Sequence, residues 1–211
     1  MRPMERSRSM AEIRREGGDK IARVLEFWLN EVGPEGWYAV DEAIDRRCAE
    51  EFGEMMEEAR LGRLIQWRAT PRGALALLIL LDQLPRNVYR GRPEAHRADA
   101  RARAVAKASI ACGLDLRIEG PGRQFFYLPL MHSESLPDQE RCVRLMVMRA
   151  PDPDGLHHAT RHRGVIRSFG RFPSRNSVLG RVDTKAEIAY REQGGYMSAP
   201  GRFDSGGEAA P

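Results

Sequence analysis

Asp82, Gln83, Pro85, Arg86 and Asn87 follow directly on the most apolar stretch of the sequence, Ala74 to Leu81. Polar groups placed there cannot all face water. An unpaired one costs about 1 to 3 kcal/mol, so each must meet a partner or a ligand. If the helix continues past Leu81, Asp82 and Arg86 stand one turn apart on one face and form an ion pair. Pro85 has no N–H, frees the carbonyl of Leu81 and loosens the helix end. Two chemistries fit these residues. One is a buried ion pair with a capping Asn that ties helices together; the other is a carboxylate and a guanidinium facing a ligand.

Two further segments carry side chains of the same kind. In RQFFYLPLMHSESLPDQE the rings and Leu128, Leu130 and Met131 read as core, while His132 and Glu134 are placed to act as general acid and base. His132 falls at the C-terminal end of a helix, where the dipole favours a charged imidazole. Ser135 reads as the N-cap of the next helix and Asp138 as its first-turn acid. In GLHHATRHRGVIRSFGRFPSRNSVLGR, His158 and His162 share a helix face at the spacing two imidazoles need for a metal. A metalloprotease helix requires Glu where Ala159 stands, and no metal ligand set is assigned. Arg163 and Arg167 are likewise one turn apart, and Arg171 and Arg175 lie in a Gly-Pro loop able to approach an anion closely. Such arginines suit bidentate carboxylate or phosphate binding, or form a solvated basic face balanced by acids elsewhere.

Several common sites are absent. GPGRQF is not a dinucleotide fingerprint after a strand, and there is neither a phosphate-binding G-x-x-x-x-G-K-[ST] loop nor a G-x-S-x-G nucleophile elbow. Cys48 and Cys142 fall on apolar faces and Cys112 just before a helix stop, so all three read as small buried hydrophobes.

The elements that must hold these residues are helices throughout, with no convincing strand. Asp19 is placed to cap an amphipathic helix over residues 20–32, and Asp41 one that runs to Gly62. Thr70 and Pro71 launch a helix that is apolar all round and therefore central. Helices follow over residues 93–111, 123–132, 137–149, 156–169 and 184–192. Short Gly, Pro and Asn connections between them predict an all-α fold of antiparallel helical hairpins, packed as a bundle or a short solenoid. The core is expected to include Leu25, Trp28, Phe52, Leu75, Leu78, Ile79, Leu81, Phe126, Leu130, Leu145 and Ile166. One domain is expected over residues 18–193, with mobile segments at 1–17 and 194–211 where apolar periodicity is lacking.

A chain of 211 residues that is 42% hydrophobic and 30% charged has globular composition. No apolar run reaches the roughly 18 residues of a membrane span, no apolar run follows the N-terminal arginines as a secretory signal requires, and three scattered cysteines do not make a disulfide framework. A cytoplasmic protein is the expectation. The net charge of +4 is unevenly spread: residues 155–181 hold six arginines, three histidines and no carboxylate, whereas residues 41–60 hold eight carboxylates against three arginines. These two segments have the charge to neutralise one another. Aromatic residues are not interleaved with the basic ones, which disfavours nucleic acid as a partner.

VLEFWLNEVGPEGWY, TPRGALALLILLDQLPRNVYRG, FFYLPLMHSESLPDQE and HRGVIRSFGRFPSRNSVLGR together resemble a bacterial family known as domain of unknown function 924, over roughly residues 19–192. The resemblance implies an all-helical fold similar to tetratricopeptide-repeat proteins, and no particular reaction; it names no cofactor. The sequence departs from the family pattern at Gly164, usually an acid, and at Ser174, often His. The matching polar set is Asp82, Arg86, Asn87, His132, Glu134, His162, Arg163, Arg175 and Asn176. Two functions follow from these residues. The first is a binding module whose groove holds a small anion or a peptide carboxylate on Arg86, Asn87, Arg163, Arg171, Arg175 and Asn176. The second is an enzyme in which Asp82, His132, Glu134 and His162 act as acid and base or hold a metal.

Overall fold

The computed structural model describes residues 10–197, and among these every regular element is helical. The remaining parts of the two end segments, residues 1–9 and 198–211, lie outside the described residues. Helix α1 spans Met10–Glu26 and starts well before Asp19. Its early turns are rich in Glu and Arg, which favour helix, and Glu16 pairs with Lys20 one turn on at 3.2 Å. The chain continues through a widened π-helical turn, Phe27–Val32, into the short α2, Gly33–Gly36. Helix α3, Glu42–Leu61, is capped by the Asp41 carboxylate, which accepts from Ala43 N and Ile44 N at 2.7 and 3.1 Å.

The central helix begins at α4, Pro71–Leu78, where Thr70 Oγ1 accepts from Gly73 N at 3.1 Å. Gly73 is required there, because a Cβ would lie 2.2 Å from the Trp67 carbonyl oxygen. Every residue from Gly73 to Pro85 is buried. The helix widens at Ile79–Gln83 into a second π turn and resumes as α5, Leu84–Val88. Around it lie α3, α6 (Asp99–Ala111), α1 and a 3₁₀ turn at Pro121–Phe126 that leads into α7, Leu128–Met131. Helices α8, Leu136–Arg149, and α9, Pro153–Phe169, are joined by three residues and pack on each other as a hairpin. The last helix, α10, is Lys185–Glu192, closed at its start by a reciprocal Thr184 and Glu187 capping box.

Two expected helices are shorter than predicted. Pro93–His96 is a 3₁₀ turn and α6 starts only at Asp99; in the expected 123–132 helix the first half is 3₁₀. In both places proline at the first turn and a compact connection favour the tighter winding. All eleven residues expected in the core are buried. Most of the apolar interior is one cluster, and Val165, Ile166, Phe172 and Tyr190 form a small second one between α9 and α10. No helix among the described residues is long and apolar enough to cross a membrane.

The acidic and basic segments do not neutralise one another. The α3 carboxylates pair with Arg46, Arg47, Arg60, Arg23 and Arg90, whereas the arginines of 155–181 pair with Glu140, Asp99, Glu134 and Glu187. Near neighbours in the packing supply the counter-charges, which leaves no reason for the two segments to meet. Cys48 and Cys142 are buried as expected, but Cys112 is exposed, because the helix ends there and turns its cap outward.

Candidate functional site

Pro85 sets the geometry at the end of the central helix. Lacking an N–H, it cannot donate to Leu81, and the helix accommodates this by widening: the Leu84 N–H reaches back five residues to the Ile79 carbonyl. Asp82 sits in the widened turn, 1% exposed. Its carboxylate meets Arg86 Nη1 at 3.1 Å, the expected pair, and His132 Nδ1 lies 2.9 Å from both oxygens. Gln83 donates to the same carboxylate, and Arg86 also donates to the Asp82 backbone carbonyl.

These contacts decide the protonation states. Burial pushes the Asp82 carboxyl up, but Arg86 and His132 outweigh it and hold it below the usual range. Burial and the adjacent Arg86 press the His132 imidazole down against the pull of Asp82. A neutral His132 beside an ionised Asp82 carries its proton on Nδ1, which leaves Nε2 as a bare acceptor with no partner among the described residues. The charged imidazole expected from a helix dipole is not found. Helix α7 has only four residues, too few to build a dipole that offsets burial.

Arg86 reaches onward to Asp99 at the start of α6, Nη2 to Oδ1 at 3.0 Å. Asp99 also lies 3.5 Å from His96 Nδ1 and 3.6 Å from Arg175 Nη1. Burial raises the Asp99 carboxyl, yet His96, Arg86 and Arg175 together drive it far below its ordinary value. Two guanidiniums thus share one carboxylate, and the sharing is unequal. Arg86 is hydrogen-bonded to Asp99, whereas the Arg175 guanidinium donates no hydrogen bond among the described residues. It lies with its central carbon 4.5 Å from the centre of the Phe172 ring, and its side chain is 15% exposed. Burial, with Arg86 close by, pulls its pKa down to about 10.

The loop that carries Arg175 is fixed from both sides. Gly170 ends α9 with φ 69°, a left-handed conformation that turns the chain sharply. Glu134 then accepts the Phe172 N–H at 2.8 Å and holds Arg181 through both oxygens at 2.7 and 3.0 Å. Burial raises the Glu134 carboxyl and Arg181 with the Phe172 amide lowers it further than that, so it stays ionised. Glu134 is therefore a loop anchor whose lone pairs are spoken for, not a free base.

Two cavities meet at Arg175. An open cleft of about 590 Å³ is walled by His132, Arg175, Asp99, Arg103, Lys107 and the Ser133–Ser135 turn among others. A smaller cavity of about 320 Å³ is lined by Arg175, His162, Phe172, Tyr190 and Tyr196 with their neighbours. His162 donates from Nδ1 to the His158 carbonyl at 2.8 Å, its ring 6.2 Å from that of His132. Burial pushes its pKa down to about 3.

The segments of DQLPRN, HSE and FGRFPSRN thus bring Asp82, Arg86, His132, His162 and Arg175 together, with Glu134 beneath the loop. The other expected ligand residues are engaged elsewhere. Asn87 donates to Asp45 of α3 at 2.8 Å, and Asn176, fully buried, to Asp183 at 2.6 Å. Arg171 holds Glu187 through Nε and Nη2 at 2.6 and 2.8 Å, pinning α10. Arg163 lies 3.4 Å from Glu140 across the α8 and α9 hairpin. His158 meets Tyr196 rather than a shared ligand with His162, and among the described residues no three His, Cys, Asp or Glu side chains converge as a metal-ligand set.

Sequence reasoning missed Asp99, His96 and Tyr196. Asp99 had a usable signal, since an acid at a helix start beside an arginine-rich region is a natural counter-charge. Tyr196 falls in the tail expected to be mobile, but the 3₁₀ turn Gly195–Met197 lies against α9, with Arg161 donating to the Tyr196 carbonyl and the Tyr196 hydroxyl bonded to His158. A single anchoring aromatic leaves no periodic pattern to read.

No curated protein matches this chain. A solved structure, that of a protein of unknown function, ATU0120, from Agrobacterium tumefaciens, is similar with a TM-score of 0.80 at 35% identity, over 83% of this chain and 98% of that one. A family model described as a bacterial protein of unknown function, DUF924, matches residues 24–195, a span that contains the central helix, the Asp82 to His132 contact and the Arg175 loop. The chain belongs to that family.

Proposed function

We propose that the protein binds a small anion, a phosphate or a carboxylate such as a peptide terminus, on the Arg175 guanidinium in the cleft beside His132. One observation carries this reading: the half-buried Arg175 guanidinium, with five N–H donors, faces the open cleft with no hydrogen-bond acceptor among the described residues and only a 3.6 Å approach to a carboxylate already bonded to Arg86. Such a group keeps donors free for a ligand and is well matched to a planar or tetrahedral oxyanion. Arg103, which has no ion-pair partner among the described residues, adds positive charge to the cleft wall, while Lys107 on the same wall is paired with Asp138 at 2.5 Å. The remaining groups supply orientation. Asp82 and Arg86 fix the His132 ring, and Glu134 fixes the loop.

Thermal melts with inorganic phosphate, acetate and succinate at constant ionic strength test the proposal. At a concentration about a hundred times the dissociation constant, a bound anion adds about 2.7 kcal/mol, which raises the melting temperature by about 5 to 11 °C in a protein of this size. Melting temperatures equal to those in chloride for every anion would refute it.

A second reading, an acid–base enzyme, is favoured by the His132 geometry. A neutral imidazole oriented by a buried carboxylate, with Nε2 unpaired and the ring on the wall of an anion cleft, has the form of a general base. Turnover of a bound anion that is lost in His132→Gln while anion affinity persists would establish it.

A further inference from the structure

A second cavity shares Arg175 with the cleft. It measures about 320 Å³ and its lining is mostly apolar. Phe172, Tyr190, Tyr196 and His162 contribute rings to it, and Arg175, whose guanidinium lies over Phe172, forms a wall common to this cavity and the cleft. An apolar cavity of about 150 Å³ is already large enough to take up benzene. The His162 ring adds no charge, since burial holds the imidazole neutral while its Nδ1 donates to the His158 carbonyl. His162 presents an edge to Phe172 at 5.4 Å between centroids and a tilted face to Tyr196 at 4.8 Å. The cavity therefore offers aromatic edges and faces and two arginines, of which Arg191 is already paired with Asp183 at 3.1 Å, which leaves Arg175 to meet an acid.

We infer that the ligand is an acid carrying an aromatic ring, its phosphate or carboxylate on Arg175 and its ring in the cavity between Phe172, Tyr190 and Tyr196. This rests on the anion reading above and adds the chemical class of the ligand. The physical basis is differential: water in a largely apolar, ring-lined cavity forms few hydrogen bonds, and an aromatic group that replaces it gains burial and edge-to-face contacts. A ring attached directly to the acid places both halves within reach of Arg175, which a long polar chain would not do.

Calorimetric titration of the full chain with inorganic phosphate and with phenyl phosphate separates the two readings. Phenyl phosphate is expected to bind at least about ten-fold more tightly than phosphate. In Tyr196→Ala that preference falls to about three-fold or less, while phosphate affinity is unchanged. Ser174→Phe, at an exposed position in the cavity lining, fills the space without touching the core and is expected to erase the preference likewise. Equal affinity of the wild type for the two ligands overturns the inference and leaves the anion site standing. A preference that survives both variants overturns it as well, because the ring then sits elsewhere. Failure of both ligands to bind overturns the anion reading and this inference together.

Discussion

Replacing Asp82 by Asn removes one charge from the most buried part of the site and keeps the shape. The wild-type carboxylate, 1% exposed, accepts from His132 Nδ1 at 2.9 Å and from the Gln83 amide, and lies in ion-pair contact with Arg86 Nη1 at 3.1 Å. Breaking one side of a buried pair typically costs about 3 to 5 kcal/mol, and the lower end applies because Arg86 keeps its bond to Asp99 at 3.0 Å. A loss of about 3 kcal/mol in a chain of this length lowers the melting temperature by about 6 to 12 °C. The pH dependence has a definite sign. A carboxyl whose folded pKa lies below its ordinary 3.8 stabilises the fold above that value and loses its contribution as pH falls through the folded pKa. The gap between wild type and Asp82→Asn is therefore constant from pH 7 down to about 4 and closes below it. Differential scanning calorimetry of both proteins across that range is the assay. A melting temperature for Asp82→Asn within about 2 °C of wild type at pH 7 would refute the reasoning, and would mean that the carboxylate serves a ligand and not the fold.

Three further outcomes are expected. His162, held neutral with its pKa near 3, makes the fold lose stability as pH drops from the ordinary 6.5 toward that value, since only the unfolded chain takes up the proton. Urea unfolding at pH 7 and about pH 4.5 should show a loss that is about 2 to 3 kcal/mol greater in wild type than in His162→Gln, where His132 and His158 still contribute; equal losses in both would contradict the assignment. Arg171→Met removes the cation that holds the buried Glu187, so amide exchange over residues 184–192 should quicken about ten-fold while the central helix is unaffected, and uniform exchange would count against the pinning role. With a thiol reagent under native conditions, Cys112 alone reacts promptly, because burial keeps Cys48 and Cys142 covered and pushes their thiols up to about 12; three fast thiols would show that the interior is open.

Much of the fold was legible because helix signals are local. Asp41, Thr70 and Gly62 mark ends that the structure places where the caps and stops predicted, and the unbroken apolar run from Ala74 to Leu81 identified the central helix. The pairing of Asp82 with Arg86 was legible for the same reason. The meeting of Asp82 with His132, fifty residues away, was not, since no spacing rule links them; only the burial of both implied that each needed a partner. The π turn at Ile79–Gln83 was signalled by Pro85 in part: a loosened helix end was readable, but not that the helix would widen and then resume. Asn87, Asn176, Arg163 and Arg171 were misplaced because residue type alone does not say whether a polar side chain finds its partner in the protein or in a ligand. Their partners, Asp45, Asp183, Glu140 and Glu187, come from the packing of neighbouring helices.

Arg175 is the residue on which the functional account depends. Calorimetric titration of inorganic phosphate into wild type and Arg175→Gln at low ionic strength is the direct test. The account predicts one site in the wild type and no measurable binding in the variant, with both unliganded proteins folded at the temperature of the titration. Phosphate binding of the same affinity in Arg175→Gln would contradict it.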